Sequence, residues 1–123
     1  SDVCSSDLGI AALNGPQDGV DVMVAEFEAR RELVVAGLNA IEGVECRDPG
    51  GAFYAFPRIE VPGHTSKEVA DSLLAEEGVA ILAGTAFGEY GENFLRLSFA
   101  NSRSEITEGL ARICHGIERL RKH

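Results

Sequence analysis

A chain of 123 residues, 45% hydrophobic and 25% charged, has the length and composition of one globular domain. Its formal net charge of −9 repels polyanions, which argues against nucleic acid and anionic membrane surfaces as partners. No apolar run reaches the roughly 18 residues that cross a bilayer. Three cysteines, Cys4, Cys46 and Cys114, lack any CxxC or zinc-finger spacing. That sparse, odd set fits a reducing compartment, so the cytoplasm is the expected location and no metal site is expected.

The first eight residues, "SDVCSSDL", show no hydrophobic period. The codons TCA GAC GTG TGC TCT TCC GAT CTN would encode them, and that string resembles a short-read sequencing adapter. Residues 1–8 are therefore expected to be a non-native segment and are set aside from fold reasoning. Ile10 to Leu13 look like the end of a helix, closed by Asn14-Gly15-Pro16. A second helix is predicted from about Asp18. Its stripe of Val20, Val24, Phe27, Arg31, Val34, Leu38 and Ile41 advances by three and four residues, and Gly43 stops it. "VEC" at 44–46 reads as a short strand. Pro49-Gly50-Gly51 reads as a turn, and Ala52 to Phe56 as a strand. Tyr54 and Phe56 are assigned to the sheet core. Pro57, Pro62 and Gly63 predict an irregular loop.

Thr65 and Glu68 form a capping box that starts a helix ending at Gly78, and "VAILA" at 79–83 reads as a short buried strand. "GTAFGEYGE" is a glycine-bearing loop, and "NFLRLSF" at 93–99 is a strand. Ser102 and Glu105 form a second capping box. The last helix then carries Ile106, Leu110, Ile113, Ile117 and Leu120 on one face. Helix, strand, strand, helix, strand, strand, helix is an α+β order. It predicts a two-layer sandwich of a small mixed or antiparallel sheet with helices on one face.

Arg96 sits at the centre of the strand 93–99. Side chains alternate along a strand, so Leu95, Leu97 and Phe99 share the face that packs on the helices, and Phe94, Arg96 and Ser98 share the other. The guanidinium thus faces solvent, a carboxylate of the protein, or an anionic ligand, for which its fork is suited. From the strand alone, an exposed arginine paired with one of the 20 acidic residues is the leading reading.

The flanking segments change that weighting. "PGGAFYAFP" and "LLAEEGVAILAGTAFGEYGENFLRLSFANS", in that order, resemble the C-terminal small domain of fold-type I, class I/II aminotransferases that use pyridoxal 5'-phosphate. The aspartate and aromatic branch is the nearest in pattern. The resemblance runs from about residue 9 to the C-terminus, which makes the chain a fragment. Residues 9–16 would be the end of a missing large domain and 17–123 the small domain. It implies transfer of an amino group between an amino acid and a 2-oxo acid, and a homodimer for the full-length enzyme. It gives Arg96 the substrate's α-carboxylate, Phe53 the substrate and cofactor side of the cleft, and Gly84, Phe87 and Gly88 a loop at the cleft mouth. Ala83 departs from the pattern, because many relatives carry proline there.

The resemblance also implies a lysine that holds the cofactor aldehyde, and this chain has only Lys67 and Lys122. Lys67 lies in the first turn of a helix, and Lys122 is one residue from the end. Neither setting activates an amine. No catalytic or cofactor-binding residue is therefore expected in this chain, and the fragment alone is expected to be inactive. Related fold-type I enzymes remain alternatives, namely carbon–sulfur lyases, cyclopropane-carboxylate synthases and kynurenine aminotransferases. So does a stand-alone carboxylate-binding module. Cys114-His115, His64 and His123 are read as surface residues, and Glu26, Glu28 and Glu32 as a solvated helix face.

Overall fold

The computed structural model describes residues 2–123, with side chains from residue 4 onward. Four helices, α1 (Asp2–Asn14), α2 (Asp18–Asn39), α3 (Ser66–Glu77) and α4 (Arg103–Arg121), accompany five short strands. The strands are β1 (Val44–Glu45), β2 (Tyr54–Ala55), β3 (Arg58–Ile59), β4 (Leu82–Ala83) and β5 (Leu95–Ser98). Every strand pair is antiparallel. β5 lies between β2 and β4, and β1 pairs with β3. A bridge from Arg58 to Phe94 and the bonds Leu95 N–H to Pro57 O and Ile59 N–H to Asn93 O join the two ladders. Residues 53–59 therefore run beside 93–99 without a gap. The predicted loop at Pro57 and Pro62 contains β3, because Pro57 keeps its carbonyl on the β5 side and its missing N–H costs nothing there.

The helices cover one face of this sheet, as the α+β reading expected. Ala55, Ile59, Leu95 and Phe99 meet Val34 and Leu38 of α2, Val69 and Leu73 of α3, and Ile106, Ile113 and Ile117 of α4 in one buried cluster. The two capping boxes form as read. Thr65 accepts from Glu68 N–H and Ser102 from Glu105 N–H, while each glutamate carboxylate accepts its cap residue's N–H. Gly78 closes α3 in the left-handed conformation, at φ 66°. Arg112 Nη1 donates to the Glu77 carbonyl at 3.1 Å, a cation at that helix's C-terminus.

Several expectations change. The segment 2–8 is helical and continuous with 9–14, although every residue from Cys4 to Asn14 is exposed. Local backbone bonds alone account for it; Ser1 lies outside the described residues. Residues 18–25, the first two turns of α2, are all exposed. Val20 and Val24 are among them rather than packed, and burial begins at Phe27. Tyr54 and Phe56 leave the core, because Ala55 between them takes the helix-facing side. The strand at 79–83 shrinks to two residues on an edge, with Leu82 exposed.

Glu28 and Glu32 are exposed as read, whereas Glu26 is partly covered by its pairing. Its carboxylate accepts from Arg103 Nε at 3.1 Å and Nη2 at 2.7 Å, and from Arg30 Nε at 2.9 Å. Hydrogen bonding to Arg103, then to Arg30, holds its pKa down to about 2 from an ordinary 4.5. This contribution to stability is complete above pH 4.5 and is lost as pH falls towards 2. Glu26→Gln should therefore lower the thermal midpoint above pH 4.5 and converge with the parent near pH 2. Parallel melting curves that never converge would contradict the assignment.

Ala83 has φ −63° and ψ 138°, and it opposes Leu95. Gly84 N–H donates to Phe94 O, so the 84:94 and 82:96 positions are the hydrogen-bonded ones. The Ala83 N–H thus points off the sheet edge, and its φ already suits proline. Ala83→Pro should stabilise the domain by about 0.4–1 kcal/mol, read as a midpoint rise of a few degrees. A fall would show that this N–H has a partner.

Candidate functional site

β5 presents Arg96 on the face away from the helices. Tyr54 is its diagonal neighbour on β2, since Tyr54 opposes Ser98 and Ala55 opposes Leu97. The guanidinium carbon lies 4.4 Å from the Tyr54 ring centre and 4.3 Å from that of Phe87. Both are cation–π distances. Each ring is backed by others. Phe53 lies 4.7 Å from Tyr54 and 6.0 Å from Phe27. Phe56 lies 6.3 Å from Phe87, edge-on, and stacks on Phe94 at 5.2 Å.

Arg96 is half-buried, yet among the described residues no carboxylate lies within 4.0 Å of it and it donates no hydrogen bond. The ion pair that the strand alone favoured is absent there. The contrast within the chain is clear, because Arg30, Arg31, Arg58, Arg103, Arg112 and Arg119 all sit near carboxylates. Arg31 is the one of these that makes no hydrogen bond among the described residues, its Nε being buried 3.2 Å from Asp48 without hydrogen-bond geometry. A cation held over rings keeps its N–H donors available, since ring faces accept none of them as a carboxylate would.

Phe87 reaches Arg96 from the loop 84–91, which folds as two 3-10 turns, Gly84–Phe87 and Glu89–Gly91. Two glycines close its neck. A Cβ on Gly84 would lie 2.3 Å from Gly91 O, and one on Gly91 would lie 2.0 Å from Gly84 O. Beyond the neck, Glu92 accepts Ser66 N–H at 2.7 Å and Ser66 Oγ–H at 2.8 Å. Ser66 Oγ in turn accepts Asn93 N–H at 2.7 Å. These bonds, led by the Ser66 backbone, hold the Glu92 carboxyl below its usual range. They fasten the loop's end to the start of α3, whose N-terminus favours a carboxylate.

The other expected site residues fall as follows. Phe53 stands at the edge of the aromatic strip, and its carbonyl accepts Phe99 N–H at 2.9 Å. Ala52 before it adopts φ 57°, a conformation alanine resists, and this turns the chain into β2. Gly84 is at the neck, and Gly88, at φ 136°, separates the two turns. What the sequence reading missed is the contact of Tyr54 with Arg96. The small Ala55 flanked by two aromatics was the available signal, because a two-residue period puts both rings on one face.

Lys67 pairs with Asp71, and its side chain is 74% exposed. Lys122 is exposed at the end of α4. Neither amine is desolvated, so the lysines of this chain do not fit a cofactor-aldehyde site. His115 Nδ1 lies 3.0 Å from both Glu77 oxygens, and the carboxyl of Glu77 is held low by that bond first. Cys114 points elsewhere, with Sγ 3.6 Å from Glu118. His64 Nδ1 approaches the Pro62 carbonyl at 3.3 Å. Among the described residues no cluster of His, Cys, Asp and Glu could hold a metal. A groove of about 450 Å³ opens between residues 78–81 and α4, and Arg96 does not line it.

The model of the family "Aminotransferase class I and II" matches residues 1–113. The aspartate aminotransferase of Rhizobium meliloti (strain 1021) is 41% identical over 94% of this chain and 30% of its own length. That of Pyrococcus horikoshii is 37% identical over 89% of this chain and 29% of its own. Among solved structures, an alanine aminotransferase from Pyrococcus furiosus superposes with a TM-score of 0.85 at 33% identity, covering 89% of this chain and 28% of that one. The chain thus spans less than a third of the length of these relatives. Sequence, fold and the ordered strand-and-loop pattern agree: this chain belongs to the class I and II aminotransferase family.

Proposed function

We propose that this chain is the substrate-carboxylate-binding small domain of a pyridoxal-phosphate-dependent aminotransferase. The observation that carries the reading is the half-buried Arg96 guanidinium, held by two rings and left free of protein carboxylates among the described residues. Such a fork offers a substrate carboxylate two parallel hydrogen bonds, which fix its orientation as well as its position. The substrates are an amino acid and a 2-oxo acid. Phe53 lines the cleft beside the carboxylate, and the loop bearing Gly84, Phe87 and Gly88 borders it.

The cofactor supplies the electron sink of amino transfer, and the protein supplies orientation. In this reading the lysine and phosphate-binding groups belong to the rest of a longer enzyme, whose working form is a cytoplasmic homodimer. With Cys4 in the segment read as foreign, the two remaining thiols, Cys46 and Cys114, are free, which accords with a reducing compartment. Residues 1–8 are read as foreign to that enzyme, 9–16 as the end of its large domain, and 17–123 as its small domain.

In the full-length enzyme, Arg96→Lys keeps the charge and loses the fork. The specificity constant for the amino acid should fall by about 2–3 kcal/mol of transition-state stabilisation. An unchanged specificity constant would remove Arg96 from the mechanism. The 123-residue chain alone, mixed with pyridoxal 5'-phosphate, should develop no absorbance band of lysine-bound cofactor. Appearance of that band would assign a cofactor site to Lys67 or Lys122.

A further inference from the structure

We infer that Tyr54 and Phe87 are positioning residues for Arg96, holding its guanidinium over their rings while leaving its N–H donors to a carboxylate. The inference rests on the reading of Arg96 as the carboxylate fork. A protein carboxylate could also steady this arginine, but it would consume the N–H donors that a ligand needs. Ring faces attract the cation and leave every donor free. The two rings lie at nearly equal distances, 4.4 and 4.3 Å, on separate segments of chain. Each has its own support. Tyr54 is fixed in the β2–β5 ladder against Phe53, and Phe87 is carried by the closed-neck loop against Phe56. With a ring against it from each of two segments, the fork has less freedom before the ligand arrives, so less is lost on binding. One ring of this clamp belongs to a loop, so the same contact couples that loop to the carboxylate site.

The test uses the full-length holoenzyme and a non-reacting pair of ligands, 3-phenylpropionate and its primary amide. The ratio of their dissociation constants isolates the fork from general binding. Tyr54→Leu and Phe87→Leu should each lower the preference for the carboxylate by roughly fivefold while leaving amide affinity unchanged. Tyr54→Phe and Phe87→Tyr, which keep the rings, should retain it. Both rings are partly exposed, so their loss leaves the core intact. Arg96→Leu, which removes charge and fork together, is the reference and should abolish most of the preference. If it does not, the reading of Arg96 fails and this inference with it. If Arg96→Leu abolishes the preference but Tyr54→Leu or Phe87→Leu keeps it, the positioning role alone is overturned. An equal loss for both ligands in Tyr54→Leu or Phe87→Leu would also overturn it, since that is general damage.

Discussion

A strand that is hydrogen-bonded on both edges can offer its neighbours nothing but its two faces, and β5 is such a strand. Its odd-numbered residues bond towards 53–59 and its even-numbered residues towards β4. Leu95 and Phe99 point into the helices and are almost fully buried. Arg96 points the other way by the same alternation. Fold and site are thus two sides of one pleat. A one-residue slip of register would drive a guanidinium into the core and expose Leu95, so the packing of three helices also fixes where the fork stands.

The energetics of Arg96 differ from those of the six arginines that sit near carboxylates. Exposed ion pairs contribute about 0.2–1 kcal/mol and are screened by salt. A cation over two rings in a partly desolvated setting gains about as much or more, roughly 0.5–2 kcal/mol. The choice of rings over a carboxylate therefore costs little stability. It preserves a local positive centre in a chain of net charge −9, where acidic partners are abundant. The absence of one within reach of Arg96, among the described residues, is what gives the arrangement its chemical meaning.

Local signals were the most readable in the sequence. Thr65 with Glu68, Ser102 with Glu105, and Gly78 each act within one turn of helix, and each helix end lies where those residues place it. The face of Arg96 was readable too, because alternation is a property of a single strand. Tyr54 and Phe56 were misplaced because aromatic β-formers suit a core in isolation, whereas their register against 96–98 decides otherwise. The clamp of Glu26 by Arg103 joins residues far apart in sequence, and no local pattern announces it. Phe87 meets Arg96 only because the loop folds back through its glycine neck.

That neck separates two kinds of change. Gly84 and Gly91 bring their backbones together, while Gly84 N–H to Phe94 O and the bonds of Glu92 seal the chain beneath them. Residues 85–90 then form an excursion whose two ends are already joined. Closing such a loop depends only weakly on its length. A change of length among residues 88–90 therefore passes little strain to β5, whereas a change at Phe87 removes one of the two rings that hold the arginine.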